Sequence, residues 1–512
     1  MKTRSDFQAL LPYFHPEAQQ TLRSAALPHL AALQLFDVHY ALNRLQSVKP
    51  TDLTEASTRL SQGVRKFMFE EVPAYRDYSA KHGEVPIDKQ NYLRAYDIDQ
   101  LVPEPASKNI KMISVSSGSS GTPYFWPRGS YLELETSLVY EMMLEEGFQI
   151  SKKRTLLIDA YSMGTWVAGV FTLTACLRIA ERGYPLTIMT PGINMDEVLK
   201  IISQIGHSYE QIIICGYPPF VKDIIEEGAR RGVDWSRYPL RFIFGAEAIS
   251  EAWRAHLYKS AKINDYYHAS MNTYGTADAA IIGHETPLTI LIKRLAENCP
   301  LLMERLFRNQ PISTFVQYYP DLKHIQIEKD ELLCTTYGGL PVYRYNLHDT
   351  AAIYTFDEIA EMLTGCEIDI FEEAKNANVN LLKLPFIALF GKSDQTVTLY
   401  GLNVYPQTIR AALEHPELID HVTARMSMHT KYDDNQDQYI HVLVELHDGV
   451  AGSKALLNQV SDIIHGTLLN NNSEYAALTE KIGEKRSLPR VELVAYGTTV
   501  PDRGKKQPWI IK

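Results

Sequence analysis

Between residues 154 and 262, short apolar runs alternate with helical stretches, and that alternation leaves few folds open. Arg154–Ala160 carries Thr155, Leu156, Leu157 and Ile158 without a break, as strands covered on both faces do. Pro185–Thr190, Glu210–Cys215 and Arg241–Phe244 are of the same type, and Asp196–Ile205, Pro218–Gly232 and Ser250–Lys262 read as helices among them. Strands alternating with helices predict an α/β class with mostly parallel sheets. In such sheets ligands bind beyond the carboxyl ends of the strands. A glycine-rich loop at residues 116–123, Gly245–Glu247 and Tyr274-Gly275 all fall at or just after strand ends and can line one crevice.

Upstream, residues 116–123 read Ser-Ser-Gly-Ser-Ser-Gly-Thr-Pro. Gly118 and Gly121 let a loop curl tightly, and curled backbone points its N–H groups inward as an anion-binding nest. Ser116, Ser117, Ser119, Ser120 and Thr122 add hydroxyl donors. The loop lies between strand-like Lys111–Val115 and helix-like Ser130–Phe148, the setting in which glycine loops hold phosphate. A flexible Gly/Ser linker has the same composition, and on this stretch alone both readings stand. No lysine follows Gly121, so this is not the Gly-x-x-x-x-Gly-Lys-Ser/Thr loop. Nor does it contain the Gly-x-Ser-x-Gly elbow of a serine hydrolase.

At 512 residues, 45% hydrophobic and 22% charged, the chain is too long for one core. A net charge of −10 argues against nucleic acid as the main partner. The five cysteines, at 176, 215, 299, 334 and 366, form no Cys-x-x-Cys pair. Free thiols in a reducing compartment fit this pattern, and no zinc spacing is visible. The first residues lead into no signal-peptide core. The most apolar stretch, Ala160–Leu177, carries Ser162, Thr165, Thr172 and Thr174 and reads as buried core rather than a bilayer span. A cytoplasmic protein of enzyme size is expected.

Residues 1–50 read as an N-terminal helical extension. Asp52 and Glu55 suggest a capping-box start for a helix bearing Leu53, Ala56, Leu60, Val64, Phe67 and Met68, ended by Pro73–Arg76. Residues 51–391 make the large domain. Within it Ile290–Phe307 reads as helical in a stretch, 285–330, that has the look of an insertion, and Glu367–Lys375 as a solvated acidic face. From 392 the pattern changes to strand Thr396–Tyr400, a helix opened by Pro406, strand Tyr439–Leu446, helix Ala455–Leu469 and strand Arg490–Tyr496. Residues 392–512 are therefore a small α+β domain, ending in the basic tail Arg503–Lys506.

Further motifs follow the glycine loop in order. They are Tyr161-Ser-Met-Gly-Thr-Trp-Val-Ala-Gly169, Gly245-Ala-Glu-Ala-Ile-Ser-Glu251, Asn272-Thr-Tyr-Gly-Thr-Ala-Asp278 and Pro341-Val-Tyr-Arg-Tyr-Asn-Leu-His-Asp349, then Phe390-Gly-Lys-Ser-Asp394, Gly401-Leu-Asn-Val-Tyr-Pro406 and Gly504-Lys505. The series resembles the adenylate-forming superfamily, most closely its phenylacetate–CoA ligase-like branch, from about Pro73 to the C-terminus. The resemblance implies a large α/β domain and a small mobile C-terminal domain. It also implies ATP-dependent conversion of a carboxylic acid, aryl or arylacetic, into an acyl-AMP with release of pyrophosphate, then acyl transfer to CoA. ATP, Mg²⁺ and CoA are the implied cofactors.

By the same resemblance, Ser116, Ser117, Gly118, Ser119, Ser120, Gly121 and Thr122 hold phosphate. Gly245, Ala246, Glu247, Asn272, Tyr274, Gly275, Asp349 and Lys392 form the adenine and ribose site. Tyr161, Trp166, Gly169 and Ala246 line the acyl pocket, Asp278 binds the metal, Lys505 bridges carboxylate and α-phosphate, and Asp394 is the hinge. The residue types suit these roles. Tyr274 offers a flat face for adenine or, equally, a half-buried core ring. Asp349 offers two oxygens to adjacent ribose hydroxyls, or caps a loop. Trp166 suits a pocket or the core, and Lys505 is a compact cation on a flexible stem.

The chain departs from the superfamily pattern at Tyr124, where a lysine usually stands, at Ala277 and Asp278 for Thr-Glu, at Asn346 and His348, and at Lys392 for arginine. Two further readings follow. In one the acyl group passes to a carrier-protein thiol or an amine in a biosynthetic pathway. In the other the protein binds nucleotide without ligase activity. The partners expected are a small-molecule carboxylic acid and CoA or a carrier protein, with a homodimer allowed and no nucleic acid or membrane.

Overall fold

The computed structural model describes residues 9–103, 110–116, 124–308, 314–338, 340–392, 397–418 and 420–498. The chain forms two compact units, Met1–Val115 with Phe125–Ser393, and Ser116–Tyr124 with Asp394–Lys512.

The larger unit opens with helices α1 (Pro16–Ser24), α2 (Pro28–Leu35), α3 (Val38–Ser47), α4 (Pro50–Glu71) and α5 (Pro73–His82). Strands β1 (Met112–Ser116) and β2 (Tyr124–Arg128) pair, and α6 (Ser130–Phe148) follows. Next come β3 (Thr155–Asp159), α7 (Val167–Glu181), β4 (Leu186–Met189), α8 (Met195–Ile205), β5 (Gln211–Gly216), α9 (Pro218–Arg230), β6 (Leu240–Gly245) and α10 (Glu251–Ser260). The unit continues with β7 (Ser270–Thr276), β8 (Ala280–His284), α11 (Pro287–Glu297), α12 (Pro300–Phe307), β9 (Thr314–Tyr318), β10 (His324–Glu328) and β11 (Glu331–Thr336). It closes with β12 (Val342–Tyr354), α13 (Phe356–Thr364), α14 (Ile370–Asn376) and β13 (Phe386–Lys392).

One eleven-stranded sheet orders these strands β10-β11-β12-β13-β9-β8-β7-β6-β5-β3-β4. The α/β class holds. The β4-β3-β5-β6-β7 half is parallel, and each of its strands is reached through a helix, as parallel pairing requires. From β7 to β10 every pairing is antiparallel, so the sheet is mixed.

Three local expectations change. α4 begins at Pro50, whose missing N–H costs nothing at the first helical position. Asp52 therefore lies in the first turn, where its charge favours the helix dipole, rather than at the cap. Pro73 opens α5 instead of only closing α4. The 285–330 stretch is helical through α11 and α12 but is no insertion, since β9 lies between β8 and β13 in the sheet.

The N-terminal helices share one core with α6, through Leu10, Tyr13, Phe14, Phe36 and Leu42 against Leu134, Leu138 and Met142. α6 is thus buried on nearly all sides, and three of its acids are in ion pairs: Glu133 with Arg128, Glu135 with Lys323, Glu141 with Arg182. Among the described residues no helix is long and apolar enough to cross a membrane.

The smaller unit contains β14 (Val397–Leu399), β15 (Leu402–Val404), α15 (Pro406–Leu413), β16 (Val422–Tyr432), β17 (Gln438–Leu446), α16 (Lys454–Asn471), α17 (Ser473–Ile482) and β18 (Arg490–Val494). Tyr400 and Gly401 join β14 to β15 with φ of 47° and 82°. Two positive φ values make the turn whose twist matches a two-residue hairpin. β16, β17 and β18 form a three-stranded sheet, antiparallel then parallel.

Candidate functional site

The site is built where β6 and β7 end side by side, with Phe244 opposite Asn272 and Gly245 opposite Thr273. A Cβ on Gly245 would lie 2.9 Å from both Thr273 Oγ1 and the Tyr161 hydroxyl. Only glycine lets these three groups close up. Ala246 then turns the chain with a φ of 70°, a left-handed conformation that costs an ordinary residue about 1–2 kcal/mol. Asn272 Nδ2 donates to the Glu247 carbonyl at 2.7 Å. Asn272 is buried, and its Oδ1 has no hydrogen-bond partner among the described residues. An unsatisfied buried acceptor costs about 1–3 kcal/mol.

Tyr274, two residues further on, donates its hydroxyl to Asp349 Oδ2 at 2.6 Å, across 75 residues of sequence. Burial and the adjacent Asp349 carboxylate push the Tyr274 pKa well above the usual phenol range, so the phenol remains the donor. Asp349 lies in β12, irregular here through His348 with a φ of 56° and a register shift after Thr350. Its backbone pairs with Lys392, the last residue of β13. The tyrosine takes one of the roughly four acceptor positions of a carboxylate. Gly275 is exposed beside this pair.

Asp278 accepts from the Tyr345 hydroxyl at 2.5 Å. Among the described residues, no group of three potential metal-ligating side chains includes Asp278. Mg²⁺ held by one or two carboxylates and substrate phosphates needs no more. The Asp278 carboxylate thus fits a hard divalent cation.

Behind β7 lies a group of buried charges. Arg254 Nε donates to Glu251 at 3.0 Å and its Nη2 to both oxygens of Glu285, at 2.8 and 2.7 Å. Lys293 Nζ sits 3.1 Å from Glu251 and 3.2 Å from Glu285, and Glu285 Oε2 accepts the Asn272 N–H at 2.9 Å. Burial would raise the Glu251 pKa, but Arg254 and Lys293 outweigh it and hold the carboxyl below its ordinary range.

At the end of β3, Tyr161 is buried, with its hydroxyl 3.4 Å from the Ile243 carbonyl and its ring edge-on to Tyr217. A Cβ on Gly169 would come within 2.6 Å of the Ser162 carbonyl, so α7 packs directly on the segment after Tyr161. Trp166, half-buried, precedes α7 and bridges to Val115, whose N–H donates to the Thr165 carbonyl at 2.9 Å. Asp159 ends β3 at 0% exposure. It accepts one backbone N–H, from Tyr161, and its Oδ2 has no partner among the described residues. Burial pushes its pKa up to about 8, so the carboxyl is mostly protonated at pH 7.

Solved structures share this architecture. 2-Hydroxyisobutyryl-CoA ligase, in complex with 2-HIB-AMP and CoA in the thioesterification state, is similar over 94% of this chain and 92% of its own, with a TM-score of 0.62 and 13% identity. The same ligase in the postadenylation state with 2-HIB-AMP gives a TM-score of 0.51 at the same coverage and identity. The chain has the adenylate-forming fold. No family model and no curated protein matches the sequence, and the likeness in fold does not single out a branch of the superfamily.

Within the adenylate-forming fold, the structure brings together Gly245, Ala246, Glu247, Asn272 and Tyr161, and separately links Tyr274 to Asp349. Ser117–Thr122, Asp394 and Lys505 lie outside the described residues, as do the side chains of Ser116 and Lys392. Sequence reasoning missed Asp159, Arg254, Glu285 and Lys293. An acid inside the run Leu156-Leu-Ile-Asp159 was a visible signal. Arg254 and Lys293 look like ordinary solvated helix charges, and nothing local marks them.

Proposed function

We propose that this chain activates a carboxylic acid as an acyl-adenylate and passes the acyl group to CoA. The observation that carries the reading is the Tyr274–Asp349 pair beside Asn272, whose buried Oδ1 lacks a donor among the described residues. Together they offer an acceptor for a purine amino group and a carboxylate for ribose hydroxyls. In the first half-reaction a substrate carboxylate oxygen attacks the α-phosphorus, the bond to the β-phosphate oxygen breaks, and pyrophosphate leaves. Two anions meet, so donors and cations must be in place beforehand. Ser116–Thr122 would hold the departing phosphates, Asp278 the magnesium, and Lys505 the oxygens between carboxylate and α-phosphate. In the second half-reaction a thiolate attacks the acyl carbonyl and AMP leaves, with Asp394 as the hinge between the two stages.

An aryl or arylacetic acid suits Tyr161 and its edge-on partner Tyr217, with Trp166, Gly169 and Ala246 as further pocket residues. CoA as acceptor is favoured by the ligase of like fold that was solved with 2-HIB-AMP and CoA. The test is mass-spectrometric detection of acyl-AMP with ATP, Mg²⁺ and a panel of aryl acids, followed by product analysis with CoA, a carrier protein and amines. Acyl-AMP with one acid and a CoA thioester is the expected result. An amide or a carrier thioester instead moves the acceptor. ATP binding with no acyl-AMP from any acid supports a non-catalytic nucleotide binder. Lys505→Ala should cripple adenylation far more than transfer from supplied acyl-AMP, and equal loss in both half-reactions sinks that role.

A further inference from the structure

Glu251, Arg254, Glu285 and Lys293 are 2%, 0%, 1% and 5% exposed at the side chain. Two acids and two bases sum to zero, and each makes at least two polar contacts. Even so, burying charge is expensive, and apolar residues of similar volume often give an equally stable core. Stability alone therefore does not account for the group. What it holds does.

Lys293 Nζ donates to the Ile249 carbonyl at 2.9 Å. Glu285 Oε2 accepts the Asn272 N–H at 2.9 Å, and the Glu285 N–H donates to the Asn272 carbonyl at 2.7 Å. Between these anchors runs the 245–249 loop, with Ala246 at a φ of 70° and the Glu247 carbonyl held by Asn272 Nδ2. A residue in a sparsely populated conformation persists only where its surroundings over-determine it. The loop is tied at its end by Lys293 and at its middle by Asn272, and both ties meet in the Glu285 carboxylate. Arg254 fixes that carboxylate through both oxygens, and Glu251 links Arg254 to Lys293. Tyr266 adds a hydroxyl contact to Glu251, and Arg254 continues to Ser270 at the start of β7.

We propose that Glu251, Arg254, Glu285 and Lys293 are positioning residues that hold the 245–249 loop and Asn272 in the shape that receives the nucleobase. The inference rests on the ATP site proposed above. None of Arg254, Glu285 and Lys293 lies in a motif of the sequence, and none is offered as touching substrate. Their effect passes through the Ile249 carbonyl and the Asn272 backbone.

The test uses the double variant Glu251→Gln/Lys293→Met beside Lys293→Arg and the wild type. The double variant removes one charge of each sign and leaves the Arg254–Glu285 pair intact, so it keeps a balanced core where Lys293→Met alone would not. Hydrogen exchange is read at the Ala246–Ile249 amides against Ile212–Cys215 of β5, and ATP binding by calorimetry. The double variant should exchange the loop amides at least tenfold faster with β5 unchanged, and its Kd for ATP should rise tenfold or more. Lys293→Arg should stay within about threefold of wild type on both. A folded double variant with unchanged loop exchange and ATP affinity overturns the proposal and leaves the group a purely structural one. A wild-type protein that binds no ATP overturns the nucleotide reading of the site instead, and faster loop exchange would then still support the clamp.

Discussion

Glu285 and Asp159 are both acids buried in the large unit, 1% and 0% exposed, and their surroundings differ sharply. Glu285 is met by Arg254, Lys293 and the Asn272 N–H. Among the described residues, Asp159 receives one backbone N–H on one oxygen and nothing on the other. Where cations and N–H groups converge, the core satisfies a carboxylate. Where they do not, it keeps a proton, and burial pushes the Asp159 pKa to about 8. The first arrangement is a brace of paired charges. The second is a titratable group beside Tyr161, on the proposed acyl side.

The largest effect that can break this comparison is at Glu285. Glu285→Ala leaves Arg254 and Lys293 short of a carboxylate and the Asn272 N–H without its acceptor. Removing one member of a buried charge group costs about 3–5 kcal/mol, read as a fall in the urea midpoint. A cost below about 1 kcal/mol would mean that the brace is not holding charge.

Asp159 should show the opposite sign. Its carboxyl binds a proton more tightly folded than unfolded, so between the unfolded value near 4 and about 8 the folded state carries the extra proton. Its contribution is most favourable below about pH 4 and is lost progressively as pH rises toward 8, at up to about 1.4 kcal/mol per pH unit. Asp159→Asn should flatten this slope in denaturant titrations between pH 5 and 7.5, and gain about 1–3 kcal/mol over wild type at pH 7.5. Stability that rises with pH through this window, or identical slopes, contradicts the reading.

Smaller effects sharpen the picture. Tyr274→Phe deletes the donor to Asp349 and should cost about 1.5–2 kcal/mol, as hydrogen bonds to charged groups do, by chemical denaturation. Gly401→Ala, in the other unit, is a control away from both acids. Its φ of 82° strains any side chain, and a loss of about 1 kcal/mol should appear in unfolding of the small unit alone.

Much of the parallel half was legible because its signals are local. The helix read over Ser130–Phe148 has those bounds in the structure, and the continuous apolar runs became β3 to β6. The antiparallel half was not. β10 runs His-Ile-Gln-Ile-Glu, and β12 spans thirteen residues with register shifts against both neighbours. Such strands are defined by partners far along the chain rather than by their own composition. The same holds at the site. Tyr274 and Asp349 stood out through their motifs, but the bond between them did not, and the partner of Arg254 at Glu285 lies 31 residues away. Long-range charge pairing leaves no periodicity to read.

The central claim is that Tyr274, Asp349 and Asn272 form the nucleotide end of an acid-activating site. Acid-dependent exchange of labelled pyrophosphate into ATP, compared between wild type and Asp349→Ala at equal folded concentration, tests it most directly. The account predicts exchange with at least one aryl acid in the wild type and a loss of a hundredfold or more in the variant. Exchange that survives Asp349→Ala undiminished, or a folded wild type that exchanges with no acid, would contradict it.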